Sequence, residues 1–108
     1  MKAQDLNTKE ATTKWWAAQD ARMRNIKNAS TWTDADKTRA ERMKLGLALV
    51  YGSKEIYIAY GKRGISIKID GAYVVDRKNL ALLERDYDAA GVKKKVTPQG
   101  VIYNIPRS

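Results

Sequence analysis

Tyrosine and basic residues recur between residues 57 and 73, and these are residue types that bind nucleic acid. Tyr57, Lys68 and Tyr73 fall on predicted strands, while Lys62 and Arg63 fall at a predicted hairpin tip. A tyrosine ring stacks on a base or packs against a sugar, and a basic side chain attracts phosphate. The same residues suit a second interpretation, in which the rings and the lysine stem cover the back of a sheet. Both interpretations require strands that bring the three residues side by side.

A second basic cluster, KKK at residues 93–95, lies on another predicted strand. Because side chains alternate along a strand, Lys93 and Lys95 point to one face and Lys94 points to the other. We therefore count Lys93 and Lys95 among the candidate nucleic-acid-binding residues. The alternative is that the charges protect an edge strand from aggregation.

Residues suited to catalysis are few. The chain has no histidine and no cysteine, which removes the commonest general base, a thiolate zinc site and a cysteine nucleophile. Asp86 and Asp88 form a DxD pair at the end of a predicted helix, which alone is a weak metal signal. The GKRG segment is a hairpin tip with no helix after it, so it is not a phosphate-binding loop. We expect no enzyme activity, no cofactor, no bound metal and no small-molecule substrate.

Composition predicts one basic domain. The chain has 108 residues, 44% of them hydrophobic, and 21 Lys and Arg against 12 Asp and Glu give a net charge of +9. A folded domain with this charge attracts polyanions. The N-terminus lacks the apolar stretch of a signal peptide, and no run is long enough to span a membrane. We therefore expect a cytoplasmic protein with no membrane partner.

Two helices are predicted in the first half of the chain. The first covers residues 7–28 and places Trp15 and Trp16 in the core. The second follows a cap at Thr33 and ends at about Tyr51. Its last part, LGLALVYG, is apolar on all sides, which predicts that its last two turns are buried.

Three antiparallel strands are predicted next, as a meander. A tip at Lys62-Arg63 pairs Tyr57 with Lys68, and a turn at Asp70-Gly71 pairs Lys68 with Tyr73. In this register the isoleucines of the first two strands share one face. Lys68 is therefore expected between the two tyrosines on the opposite face.

A third helix, capped by Asp76, is predicted to reach Ala90, and a hairpin that turns at residues 98–100 follows it. The predicted fold class is α+β, with two N-terminal helices, a three-stranded antiparallel meander, a third helix and a C-terminal β-hairpin. We assign all of it to one domain, 1–108, with a helical part at 7–51 and a sheet and helix part at 55–105.

The order of three strands and a helix, with YDAA at residues 87–90, resembles the plant ethylene-response DNA-binding domain and the arm-binding domains of phage integrases. The resemblance covers residues 55–90 and implies a sheet that enters the major groove of DNA. The Arg- and Trp-rich strand pattern of the plant family is missing, so the resemblance is one of architecture only.

These features together predict a small, non-enzymatic accessory or regulatory protein that binds DNA or RNA through a basic, tyrosine-bearing sheet face and hairpin tip. One alternative is a phage-type inhibitor or adaptor that docks on an acidic protein surface. A second alternative is a histidine-free, metal-dependent nuclease that uses carboxylates and a lysine.

Overall fold

The computed structural model describes residues 19–20 and 22–107. Within these residues the chain forms three helices and two antiparallel sheets, which is an α+β fold. The helices are α1 at residues 19–20 and 22–29, α2 at Asp34–Val50 and α3 at Arg77–Ala89. The strands are β1 at Tyr51–Gly52, β2 at Glu55–Tyr60, β3 at Gly64–Asp70, β4 at Tyr73–Val74, β5 at Lys93–Thr97 and β6 at Gly100–Pro106. The predicted start of the first helix, and Trp15 and Trp16, lie outside the described residues.

Helices α2 and α3 begin at the caps that the sequence predicts. The Thr33 hydroxyl accepts a hydrogen bond from the backbone N–H of Asp36 at 3.1 Å. The Asp76 carboxylate accepts one from the backbone N–H of Asn79, also at 3.1 Å. Each bond satisfies a backbone donor that has no partner inside its helix.

The last two turns of α2 differ from the prediction, because they are buried on one side only. Leu47 and Val50 are 0% and 2% exposed, whereas Leu45 and Leu49 are 66% and 78% exposed. In a two-layer fold a helix buries only the stripe that faces the sheet, whatever the rest of its sequence is. The apolar far side of α2 therefore lies open.

The larger sheet has four antiparallel strands in the order β2-β3-β6-β5. The first predicted hairpin is confirmed in its register, with Tyr57 opposite Lys68 and Ile58 opposite Ile67. The predicted C-terminal hairpin is β5 and β6, and Lys95 lies opposite Ile102. This hairpin joins the first one because β6 pairs with β3 along seven residues.

The second predicted hairpin is wrong. Tyr73 does not pair with Lys68; it pairs with Gly52 in the small sheet of β1 and β4. The expected two-residue turn needs a positive φ at both central residues. Gly71 has a φ of 61°, but no residue other than glycine has a positive φ among those described, so Asp70 does not. Strand β6 pairs with β3 along seven residues, and every second side chain of β6 is buried in the core. Strand β4 has only two residues and could not bury as much apolar surface beside β3.

The core lies between the four-stranded sheet and helices α2 and α3. Its sheet side consists of buried residues from β3 and β6, namely Ile65, Ile67, Ile69, Val101, Tyr103 and Ile105. Its helix side includes Met43 and Leu47 of α2 and Leu80 of α3. Burial of these side chains holds the two layers together and leaves the opposite side of the sheet for the residues described next. No helix in the described part of the chain is both long and apolar enough to cross a membrane.

Candidate nucleic-acid interface

The face of the four-stranded sheet that points away from α2 and α3, here called the outer face, carries one row of side chains across all four strands. Tyr57, Lys68, Ile102 and Lys95 lie opposite one another in successive strand pairs, and we call them the outer row. With neighbouring strands about 4.8 Å apart, the row spans about 14 Å. It presents an aromatic ring, an aliphatic side chain and two positive charges on one surface.

A second row lies beside the outer row, two residues along each strand. It consists of Ala59, Ser66, Asn104 and Lys93. The Ser66 hydroxyl donates a 2.6 Å hydrogen bond to Oδ1 of Asn104, which fixes the orientation of the amide. The second row therefore adds polar groups and a third lysine to the outer face.

Helix α1 extends this surface past the edge of β2. The side-chain oxygen of Asn25 accepts a hydrogen bond from the Tyr60 N–H at 2.6 Å, and the Asn28 amide donates one to the Tyr60 carbonyl at 3.2 Å. These bonds satisfy backbone groups that an edge strand leaves unpaired. They also place Arg22 and Arg24 at a groove of about 410 Å³ that Tyr57 and Lys68 line from the other side.

A second groove, of about 320 Å³, lies on the other side of Tyr57 and Lys68, and Ile102 and Asp70 are among the residues that line it. The pKa of Tyr57 is raised by its partial burial and then by the carboxylates of Asp70 and Glu55. Glu55 and Asp70, which are paired across β2 and β3, thus place two carboxylates at this end of the outer face. An anionic ligand is expected to lie over the lysines and towards α1, away from Glu55 and Asp70.

The structure brings four of the predicted site residues together on the outer face. Tyr57 is 37% exposed, Lys68 is half-buried between its neighbours, and Lys93 and Lys95 are exposed. Tyr73 is a correction: it is 64% exposed, but its ring lies against Gly52 in the small sheet, so it is not beside Lys68. Its place in the row is taken by Ile102.

The predicted tip residues Lys62 and Arg63 are exposed at one end of the sheet, beyond the row that contains Ser66. Their backbone carbonyls accept hydrogen bonds from the side chain and the backbone N–H of Arg107, both at 3.0 Å. The guanidinium of Arg107 also lies 3.7 Å from the ring centroid of Trp32. The tip is thus held in place, and its two basic side chains lie at the margin of the outer face.

Lys94 points to the opposite face from Lys93 and Lys95, as predicted. Its ammonium group lies 2.7 Å from a carboxylate oxygen of Glu84, which also accepts a hydrogen bond from the Tyr103 hydroxyl at 2.7 Å. Burial alone would raise the pKa of Glu84, but the hydrogen bonds from Lys94 and Tyr103 lower it overall. Since Tyr103 donates to Glu84, Tyr51 must donate the 2.8 Å bond between the two tyrosine hydroxyls. This chain of polar groups ties α3 to the sheet.

The sequence interpretation missed Ile102, Asn104, Arg22 and Arg24. The strand VIYNI does alternate, with Val101, Tyr103 and Ile105 facing the core. That alternation predicts that Ile102 and Asn104 share the other face, but it does not say which strand they join. The two arginines reach the site only because α1 lies against the edge of β2.

Among the described residues, no group of three or more acidic side chains is placed to hold a metal ion. The chain matches no protein-family model, no curated protein and no solved structure. The resemblance to the plant and integrase domains requires three consecutive strands in one sheet. Here the third of those strands, β4, pairs with β1 in a separate sheet. Any inference about what the outer face binds therefore rests on the geometry of its side chains alone.

Proposed function

We propose that this protein binds nucleic acid through the outer face of its four-stranded sheet and acts as a non-enzymatic accessory or regulatory factor. The observation that carries the proposal is the outer row, in which Tyr57, Lys68, Ile102 and Lys95 are aligned across the sheet. Nucleic acid offers the matching chemistry, because phosphates attract the lysines while bases and sugars contact the ring and the aliphatic chain.

The spread of charge favours a polyanion over a small anion. Lys68 and Lys95 are two strands apart, which is about 10 Å, and Arg22 and Arg24 flank the far side of Tyr57. One small anion cannot contact charges at these separations, whereas a phosphate backbone presents repeated charges along its length. The grooves beside Tyr57 are shallow and open to the surface, as contact with an extended ligand requires.

A salt titration tests the proposal. Five basic residues lie in the two rows of the outer face or line the groove towards α1, namely Arg22, Arg24, Lys68, Lys93 and Lys95. If about 4–6 phosphates are contacted, the logarithm of affinity falls against the logarithm of salt concentration with a slope of about −3 to −5. Fluorescence anisotropy with labelled single- and double-stranded DNA and RNA measures this slope. An affinity that does not change between low and moderate salt refutes a phosphate-led interface.

An acidic protein surface is the alternative partner, because its carboxylates would also attract these lysines. Pull-down from a cell extract with and without nuclease treatment separates the two ligands. The proposal predicts that nuclease treatment releases the captured molecules whose binding depends on Lys68 and Lys95. A complex that survives nuclease and still depends on these two lysines would contradict it.

A further inference from the structure

A groove of about 560 Å³ lies between α2 and α3, on the opposite side of the sheet from the outer face. Its apolar floor is formed by Met43 and Gly46 of α2 and by Leu83 and Tyr87 of α3. Gly46 opens the floor, because a Cβ atom there would meet the Tyr87 hydroxyl at 3.4 Å and fill part of the space. The groove plays no part in the proposed nucleic-acid contact.

Exposed leucines continue this apolar surface along α2. Arg42, Leu45, Gly46 and Leu49 follow the spacing i, i+3, i+4 and i+7, so they share one side of the helix. Leu45 and Leu49 are 66% and 78% exposed, and Leu82 of α3 is 45% exposed. A contiguous patch of exposed leucines beside a groove is typical of a surface that binds another molecule.

The charges at the groove are unequal on its two sides. Arg39 and Arg42 line it from α2, and none of its nine lining residues is acidic. On the α3 side, the pKa of Tyr87 is raised by burial and then by the carboxylate of Asp86, which places one negative charge near that rim. A ligand with carboxylates on the side that faces α2 complements this pattern.

We propose that the groove between α2 and α3 binds an acidic amphipathic helix of another protein. The walls are helices, and the backbone groups inside a helix are already paired, so the groove offers no row of backbone donors and acceptors to an extended strand. A helical ligand satisfies its own backbone and lays an apolar stripe into the groove. From Ala35 to Gly46 the groove runs along α2 for about 16 Å, which accommodates three turns of a ligand helix.

The binding partner and the nucleic acid would occupy opposite sides of the molecule. The outer face points away from α2 and α3, so neither ligand blocks the other. Binding of a partner helix in this groove would make the protein an adaptor, and this proposal does not depend on whether the outer face binds nucleic acid.

A peptide-display selection against the full chain tests this proposal. The library contains 16-residue peptides with leucine fixed at i, i+3, i+4, i+7 and i+11 and with the other positions random. We expect enrichment of Asp and Glu at the random positions. Against selected peptides, Arg39→Glu and Arg42→Glu should each weaken binding at least five-fold, and Gly46→Met, which fills the groove, at least ten-fold.

Two variants serve as controls. Arg85→Glu makes the same charge change on α3 at a residue that does not line the groove, and it should alter affinity less than two-fold. Asp86→Asn should strengthen binding, because it removes the carboxylate beside Tyr87 at the α3 rim. Circular dichroism melting checks that each variant is folded. Gly46→Met tests the shape of the groove and the arginine variants test its charge, so misfolding of one variant leaves the other test intact.

Three results would overturn the proposal. The first is a selection that yields no binders, or binders without acidic enrichment. The second is an equal affinity of the selected peptides for the wild-type chain and for Gly46→Met. The third is a concentration-dependent dimer in sedimentation velocity that Gly46→Met abolishes, because the groove would then bind a second copy of this chain.

Discussion

Substitution of Ile67 tests the assignment of core and outer faces on which the site depends. Ile67 is 0% exposed at the centre of β3, and its backbone neighbours in the sheet are Ile58 and Tyr103. Ile67→Ala removes three buried carbon groups, worth about 2.4 kcal/mol at about 0.8 kcal/mol each. A residual cavity adds to this, so we expect a loss of about 3–4 kcal/mol in the free energy of unfolding.

Ser66→Ala is the matched control, one residue away on the outer face. It removes a single partly exposed hydrogen bond to Asn104, which is worth about 0.5–1.5 kcal/mol. Urea denaturation followed by circular dichroism measures both variants, and the slope of the free energy against urea should stay unchanged. Equal losses for Ile67→Ala and Ser66→Ala, or a larger loss for Ser66→Ala, would refute the assignment of the two faces.

Three further predictions follow from particular contacts. Tyr57→Ala should weaken nucleic-acid binding by about 1–3 kcal/mol, and Tyr73→Ala, in the small sheet, should leave affinity unchanged in the same titration. Glu84→Gln should cost about 1 kcal/mol of stability at pH 7. Because folding lowers the pKa of Glu84, the stability that this group contributes is present above its unfolded pKa of about 4.3 and is lost as the pH falls through its lower folded pKa. Urea titrations should therefore show the gap to the wild type closing below about pH 4. Arg107→Ala should lower the free energy of unfolding by about 1–2 kcal/mol, since it loses the stacked Trp32 ring and several hydrogen bonds; thermal melting measures this loss, and an unchanged melting temperature would contradict it.

Local sequence signals were enough to predict the β2–β3 hairpin and its register. The tip at Lys62-Arg63 and the alternating isoleucines on both sides of it agree on one pairing, and the structure has that pairing. A hairpin is predictable in this way because its turn and its facing side chains lie within about fifteen residues.

The strand on the other side of β3 was not predictable from the same kind of signal. Asp70-Gly71 is a strong local hairpin pattern, yet β3 pairs with β6, whose paired residues lie 30 to 42 positions away along the chain. A seven-residue pairing that buries Tyr103 and Ile105 outweighs a local turn preference. For this reason the outer row contains Ile102 instead of Tyr73.

The contact of α1 with the edge of β2 was also not predictable from the sequence. Asn25 and Asn28 bind the backbone of Tyr60 from a helix more than thirty residues earlier, and this contact brings Arg22 and Arg24 to the outer face. Helical periodicity shows which residues share a side of α1, but it does not show which strand that side meets.

The central claim is that the outer face of the sheet binds nucleic acid, and comparison of three lysine variants tests it most directly. Lys68→Ala and Lys95→Ala each remove a charge from the outer row, whereas Lys78→Ala removes an exposed charge from α3 on the other layer. We predict that the first two each weaken binding by about 1 kcal/mol or more, which is about five-fold, at an unchanged melting temperature. Lys78→Ala should change affinity less than two-fold. Equal affinities for all three variants, or losses that simply follow a lower melting temperature, would contradict the claim.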